Sequence, residues 1–341
     1  MKDASLKDRS RRLFAGTRAQ LAAFAEAADV PVLAGPWLGE VGFELLYWLP
    51  FLRWAVGEFP GLRNQIVVVS RGGVDSWYEG IYQHYFDLFD YFTLKEVRKR
   101  FPKFLKQASS YDDYVRRKYG DAEGGLIERV RRELGVPRVN VLHPSVMYES
   151  FKFILDLEEM GMTVHYPRFT PPPLGSVEGM LPERFVAARF YQCFPFPATG
   201  VNRDFVQTLV SALADEIPVV LLNTGMAIDR KHPDFSLDAS PNVLSLEGHM
   251  SLRNNLAVQS AIISRAIAFI GVYGGLSYLS PHYGKPSYSL CSDLNSLLKT
   301  GHSALAHRAL AAPNLGGYWV GSVHDMTPRA VAEKVLASTA R

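Results

Sequence analysis

The sequence predicts an α/β protein built from two Rossmann-like, doubly wound domains that face each other across a cleft. Three observations predict it. The segment 266–290, AIAFIGVYGGLSYLSPHYGKPSYSL, runs from an apolar stretch through Gly274-Gly275 into a small helix with Ser277 and Ser280. It stops at Gly284, turns at Lys285-Pro286 and enters a second apolar stretch: strand, glycine turn, helix, strand. The segment 32–70 repeats that wiring near the other end, with a short strand, a glycine loop holding Glu40, a helix and the strand 65–70. Between them lies a stretch of little periodicity carrying Pro167, Pro171, Pro172, Pro173, Gly175, Gly179 and Pro182, which reads as a linker. The expected domains are therefore 1–170, with a polar helical insertion at about 94–134, and 183–341.

Taken in order, residues 6–28 space Leu6, Leu13, Phe14, Leu21, Phe24 and Ala28 as one amphipathic helix. Strand 32–35 follows, then a helix over 41–56 whose apolar faces come from Phe43, Leu46, Tyr47, Leu52 and Trp54. Pro50 should kink that helix or end its first half. After strand 65–70, Arg71-Gly72-Gly73 is a turn and 77–89 reads as an aromatic-rich helix. Strand 139–142 ends in His143-Pro144, and a helix over 151–160 closes at Gly161. The second unit reads as strand 185–191, helix 202–214, strand 218–222, short strand 242–246 and helix 252–265. After the opening segment come strand 316–321 and helix 327–337, with Thr327 as N-cap and Pro328 at its first position.

Composition fits this architecture. With 341 residues, 48% of them hydrophobic, there is apolar material for two cores, and a charged fraction of 21% is ordinary for a globular chain. No apolar run reaches the length of a membrane span, and the leading MKDASLKDRSRR is unlike a signal peptide. Cys193 and Cys291 are too few for a disulfide framework and lack zinc-ligand spacing, so the cytoplasm is the expected compartment, peripheral to the inner membrane face at most. The net charge of +3 says little, but basic residues gather over 95–132: Lys95, Arg98, Lys99, Arg100, Lys103, Lys106, Arg116, Arg117, Lys118, Arg129, Arg131 and Arg132. The plain reading is a solvated helical surface; the sharper one is a basic face for peripheral membrane contact or an anionic acceptor. No nucleic-acid motif accompanies it, and nucleic acid is not an expected partner.

The two wired segments together resemble the ADP-heptose:lipopolysaccharide heptosyltransferase family and its relatives with the GT-B fold. In that family a strand leads to a small-residue loop ending in Gly-Asp, then a Pro-containing helix, Phe-Pro and a second strand. Here the run is Leu38-Gly39-Glu40, residues 45–50 ending in Pro50, Phe59-Pro60 and 66–69. The family's second signature, a Gly-rich turn with Gly-Leu-x-His-Leu-Ala and then Gly-x-Pro, is similar to residues 274–280 and Gly284-Lys285-Pro286. Glu40 stands where the family has Asp, and Tyr278 where it has His. The resemblance implies an inverting glycosyltransferase that moves a sugar from a nucleotide-diphosphate sugar to a glycan or lipid-linked acceptor. It implies no bound metal and no cofactor. Two other readings share the scaffold: a nucleotide-sugar epimerase or hydrolase, and a non-catalytic protein that binds a glycan or partner.

Candidate residues follow from strand ends, where ligands lodge in doubly wound sheets. Glu40 is the leading general base, by its loop and by its match to the Gly-Asp position; Glu44 rivals it one helical turn on, and His143 is a third candidate. On the donor side, Arg189 ends strand 185–188 and offers a planar fork for phosphate, as the resemblance implies for a basic residue there. Tyr191, Asn202 and Arg203 lie nearby. Asn223-Thr224-Gly225 would wall the base or ribose, and Glu247 would accept from ribose hydroxyls. Tyr273, Gly274, Gly275, Leu276 and Ser277 form the phosphate turn, where glycines admit close backbone approach and a helix begins. Asp229 and Asp234 suggest oxygen ligands for a cation, but Arg230 and Lys231 between them argue against one.

Overall fold

The structure is a computed structural model of the 341-residue chain and describes residues 2–100, 121–151, 166–226, 232–238, 240–298 and 301–338. It divides into two compact units, Met1–His165 and Tyr166–Arg341. Each holds one wholly parallel sheet. The first has β1 (Val32–Ala34), β2 (Ile66–Ser70), β3 (His84–Asp87) and β4 (Asn140–Leu142) in the order β3-β2-β1-β4. The second has β5 (Val186–Arg189), β6 (Val219–Leu221), β7 (Val243–Ser245), β8 (Ala268–Val272), β9 (Ser287–Cys291) and β10 (Tyr318–Ser322), ordered β10-β9-β8-β5-β6-β7.

Parallel strands need crossovers, and helices on both faces bury the sheet, so central strands become continuous apolar runs. That is why β1, β2, β8 and β9 are buried along their whole length. Both sheets reverse direction once. In the first, β1 leads outward through β2 and β3, then β4 returns to the other side of β1. In the second, β5 leads through β6 and β7, then β8 returns beside β5. The two topological switch points are thus β1/β4 and β5/β8. Their carboxyl ends open a crevice because the connecting loops diverge to opposite faces.

Helix Lys2–Glu26 packs in the first unit, with Phe14 and Leu21 buried and the Phe14 ring 5.4 Å from Trp54. The helix over 41–58 is not uniform. Val41–Phe43 is α-helical, Glu44–Trp48 is π-helical, with the Leu49 amide bonding Glu44 O, and Leu49–Glu58 resumes the α form. Pro50, which lacks an N–H, sits at the start of that last piece, so the wider turn absorbs the break expected at the proline.

The helix expected over 77–89 is not there. Instead a 3-10 turn spans Asp75–Tyr78, Gly80 takes φ +80°, and His84–Asp87 is the edge strand β3, followed by the short helix Leu88–Tyr91. Gly80 breaks the helix, and Asp87 caps the next one by accepting from the Phe89 amide. Helices Leu294–Leu298 and Gly301–Leu310 had no counterpart in the sequence reading. Of the basic segment and the helix expected over 151–160, residues 101–120 and 152–165 lie outside the described residues. No helix among the described residues is long and apolar enough to cross a membrane.

The proline stretch after Tyr166 is tied to the second unit. The Phe169 amide donates to His282 O at 2.8 Å, Arg265 donates to Pro172 O at 3.1 Å, and the Phe169 ring stacks on His282 at 4.4 Å. One face of the second sheet is covered by helices Gly200–Ala214 and Pro328–Ala337. Val206, Leu209 and Leu213 share a core there with Val331 and Val335 over Val186, Ala188 and Ile270. Both helices are capped as their sequences ask: Thr199 Oγ1 accepts from the Asn202 amide and Thr327 Oγ1 from the Ala330 amide, each at 3.2 Å.

Candidate functional site

At the carboxyl edge of the first sheet, Glu40 follows β1 and His143 follows β4, so the two flank the switch point. Glu40 is exposed and occupies the N-cap position of the helix over 41–58 in an extended conformation (φ −72°, ψ 152°). A carboxylate there is favoured by the helix dipole and stays solvated.

Glu44 differs in kind. It is fully buried, with Oε1 accepting from Ser70 Oγ at 2.6 Å and from the Tyr78 hydroxyl at 2.5 Å, while Oε2 pairs with Arg71 at 3.3 Å. Burial pushes its carboxyl above the usual range, against the opposing pull of Arg71 and the two hydroxyls. Arg71 also donates to Gly39 O at 2.5 Å, so the buried carboxylate tethers the loop that carries Glu40. The sequence reading placed both carboxylates on one helix face; the packing instead puts one in solvent and the other in the core.

His143 is buried as well. The Ser145 amide donates to its Nδ1 at 3.2 Å, and Ser145 Oγ lies 2.8 Å from the same nitrogen. An amide donor requires Nδ1 to be unprotonated, which assigns the proton to Nε2, 3.3 Å from the buried Glu123 carboxylate. His143 therefore holds the start of helix Pro144–Phe151 through Ser145 and lies beside Glu123 of helix Asp121–Glu133.

The second sheet gathers the other candidates along its carboxyl edge. Arg189 ends β5, its Nε donating to Asp234 Oδ1 at 3.1 Å and its Nη1 to Gln259 Oε1 at 3.2 Å; the guanidinium lies 5.5 Å over the Tyr191 ring. A Cβ added at Gly275 would sit 3.3 Å from the Tyr191 hydroxyl, which places the glycine turn against that ring. On the other side the Thr224 amide donates to Asp234 Oδ2 at 3.4 Å. A Cβ at Gly225 would sit 3.1 Å from Glu247 Oε2, so this exposed carboxylate lies beside the β6 loop. The ends of β8, β5, β6 and β7 thus form one row: Gly274-Gly275, Tyr191, Arg189, Thr224-Gly225, Glu247.

Other named residues support the row from below. Asn223 donates to Phe235 O at 3.4 Å. Tyr273, Leu276 and Ser277 are buried; Ser277 Oγ accepts from the Gly274 amide at 3.1 Å and so holds the turn. Gly275 adopts φ 47° and ψ −115°, open only to glycine at ordinary cost. Asn202 is buried and bonds Pro197 O and Ser292 Oγ, a structural role. Asp229 lies outside the described residues, and Asp234 is engaged by Arg189.

Comparison with known proteins bears on the fold. No family model and no curated protein matches the sequence. Among solved structures, Escherichia coli ADP-heptose LPS heptosyltransferase II is similar over 91% of this chain and 98% of its own, with a TM-score of 0.50 and 14% identity. The fold is heptosyltransferase-like. E. coli heptosyltransferase WaaC with ADP (15% identity, 91% and 98% covered, TM-score 0.45) also matches. So does the glycosyl transferase family 9 protein from Veillonella parvula DSM 2008 (11%, 91% and 96%, 0.47).

Within this heptosyltransferase-like fold, sequence reasoning missed two kinds of residue. The partnership of Ser70, Arg71 and Tyr78 with Glu44 has no local signal, because they surround it from β2 and the following turn, distant in sequence. The sequence offers Asp234 only as a metal ligand and gives Gln259 no role. The one available signal was Gln259 in the middle of helix Asn255–Arg265, among the apolar residues Leu256, Val258, Ala261 and Ile262, where an uncompensated amide would be costly.

Proposed function

We propose that this chain is a glycosyltransferase that moves a sugar, with inversion, from a nucleotide-diphosphate sugar to a hydroxyl of a glycan or lipid-linked acceptor. The observation that carries this reading is the row at the carboxyl edge of the second sheet. It offers a guanidinium, a glycine turn at a helix start and an exposed carboxylate, in a fold similar to a heptosyltransferase. Arg189 and the Gly275 amide of the glycine turn take the diphosphate, Glu247 accepts from the ribose hydroxyls, and the Asn223-Thr224-Gly225 loop walls the nucleoside.

Glu40 supplies the base. Its carboxylate removes the acceptor hydroxyl proton as that oxygen attacks the anomeric carbon; the bond to the diphosphate breaks, and its electron pair leaves on the phosphate oxygen. Arg189 and the turn stabilise the charge that develops there. Glu44 and His143, both buried, hold the frame around Glu40. Asp234 is committed to Arg189, so cationic stabilisation of the leaving group falls to the guanidinium and not to a metal, and turnover should survive a chelator.

The test is a thermal-shift screen with ADP, UDP and GDP, followed by chromatography of reactions with the sugar donors of whichever nucleotide protects. A ligand at about 100 times its dissociation constant adds roughly 2.7 kcal/mol to stability, an easily read shift. Protection by one nucleoside diphosphate, and its release from a sugar donor only when an acceptor is present, is the expected result. Absence of protection by all three would overturn the reading, and release without acceptor would favour a hydrolase.

A further inference from the structure

We infer that Asp234 is a positioning residue of the phosphate subsite, holding the Arg189 guanidinium and the Thr224 loop in the geometry that receives a diphosphate. The inference rests on the donor reading above and deepens it. An arginine at a strand end has many rotamers to lose, and a planar fork binds phosphate well only when its plane is set beforehand. Arg189 is set on three sides. Its Nε goes to Asp234, its Nη1 to Gln259, which is itself fully buried, and its plane rests over Tyr191. A guanidinium has five N–H donors. Among the described residues these two bonds use two, and the rest remain for an anion in a group whose side chain is still 19% exposed.

Asp234 is itself fixed by backbone. Residues 233–235 lie antiparallel along the continuation of β5: the Gln192 amide donates to Pro233 O at 2.9 Å and the Phe235 amide to Phe190 O at 2.8 Å, with Tyr191 and Asp234 paired between them. The second oxygen of Asp234 accepts from the Thr224 amide. One carboxylate thereby joins the loop after β6 to the guanidinium after β5. A carboxylate so close also lowers the local positive charge, which on Coulomb grounds alone would weaken anion binding. Its net effect on affinity decides between positioning and mere neutralisation.

The experiment is a double-mutant cycle on the full chain, with R189A, D234A, R189A/D234A and the near-isosteric D234N. It is read by titration calorimetry with ADP, UDP, GDP and inorganic pyrophosphate, and with the matching nucleosides. Positioning predicts that D234A weakens nucleoside diphosphate binding at least tenfold and that D234N recovers part of the loss. It also predicts that the double variant binds no more weakly than R189A alone, and that nucleoside affinity is unchanged. D234A binding as tightly as the native protein, or losing affinity equally with and without Arg189, overturns the inference. Nucleoside diphosphate binding that survives R189A likewise overturns it and removes Arg189 from the donor site, while nucleotide binding itself stands. Pyrophosphate binding that depends on Asp234, with no added affinity from any nucleoside, supports the inference and removes the nucleotide. Failure of all four anions to bind the native protein overturns both. D234N, which keeps an acceptor for Arg189, carries the comparison if D234A does not fold.

Discussion

Glu40 and Glu44 are the same side chain four residues apart, and their surroundings divide their work. Glu40→Gln keeps the shape but cannot take a proton, so turnover with a donor and acceptor in hand should fall by about a hundredfold to ten-thousandfold with donor affinity retained. Full activity in that variant would move the base elsewhere. Glu44 instead governs stability. Because burial raises its folded-state pKa above the unfolded value, its favourable contribution is complete below the unfolded pKa of about 4.5 and is lost as pH rises through the folded pKa. Denaturant titrations across that window should therefore show the native protein losing stability relative to Glu44→Gln as pH rises. Parallel curves would mean that Arg71, Ser70 and Tyr78 offset the burial completely. Glu44→Ala should cost about 3–5 kcal/mol, since it strands the Arg71 charge and leaves two hydroxyls unpaired.

Among the elements, the turn at Gly274-Gly275 and the π segment each depend on one local conformation. At Gly275 any side chain meets both an unfavourable φ and the Tyr191 hydroxyl. Gly275→Ala should lower stability by about 1–3 kcal/mol, whereas Gly248→Ala, with open space at its Cβ and no left-handed φ, should be nearly neutral. Melting curves of the two variants give the comparison, and an undisturbed melt for Gly275→Ala would contradict the turn. A bulkier Gly275→Val mixes strain with blocked ligand approach, so the alanine is the cleaner probe. The π segment puts Glu44 inward and leaves Phe43 and Tyr47 half-exposed, stacked 5.4 Å apart. At the far end of the chain, Thr327→Ala removes the cap bond to Ala330 and should cost about 1 kcal/mol.

For the whole molecule, each unit has its own sheet and its own buried side chains. Four of the five tryptophans, Trp37, Trp48, Trp54 and Trp77, belong to the first unit and only Trp319 to the second. Leu209→Ala, in the core under helix Gly200–Ala214, should cost about 2–5 kcal/mol. If the units unfold separately, that variant shifts the circular-dichroism transition while the main tryptophan fluorescence transition stays in place. Coincident shifts in both probes would show one cooperative unit.

What the sequence determined by itself is the wiring. Continuous apolar runs ending in glycine turns, with helical patterns between them, identify buried parallel strands, and strand ends, with the family resemblance at Arg189, single out Arg189, Tyr191, Thr224-Gly225 and Glu247 as candidates. Thr327-Pro328 announces its cap because capping is a local interaction, satisfied within four residues. What only the tertiary structure decided is where each polar side chain finds its partner. Periodicity gives Glu40 and Glu44 the same face, but Ser70, Arg71 and Tyr78 draw Glu44 into the core. The aromatics over 77–89 suggested a helix until Gly80 and pairing with β2 made part of that run an edge strand. Asp234 becomes legible only once its backbone lies along β5. Long-range pairing has no local signature: the free energy that selects it comes from contacts between residues the chain brings together only on folding.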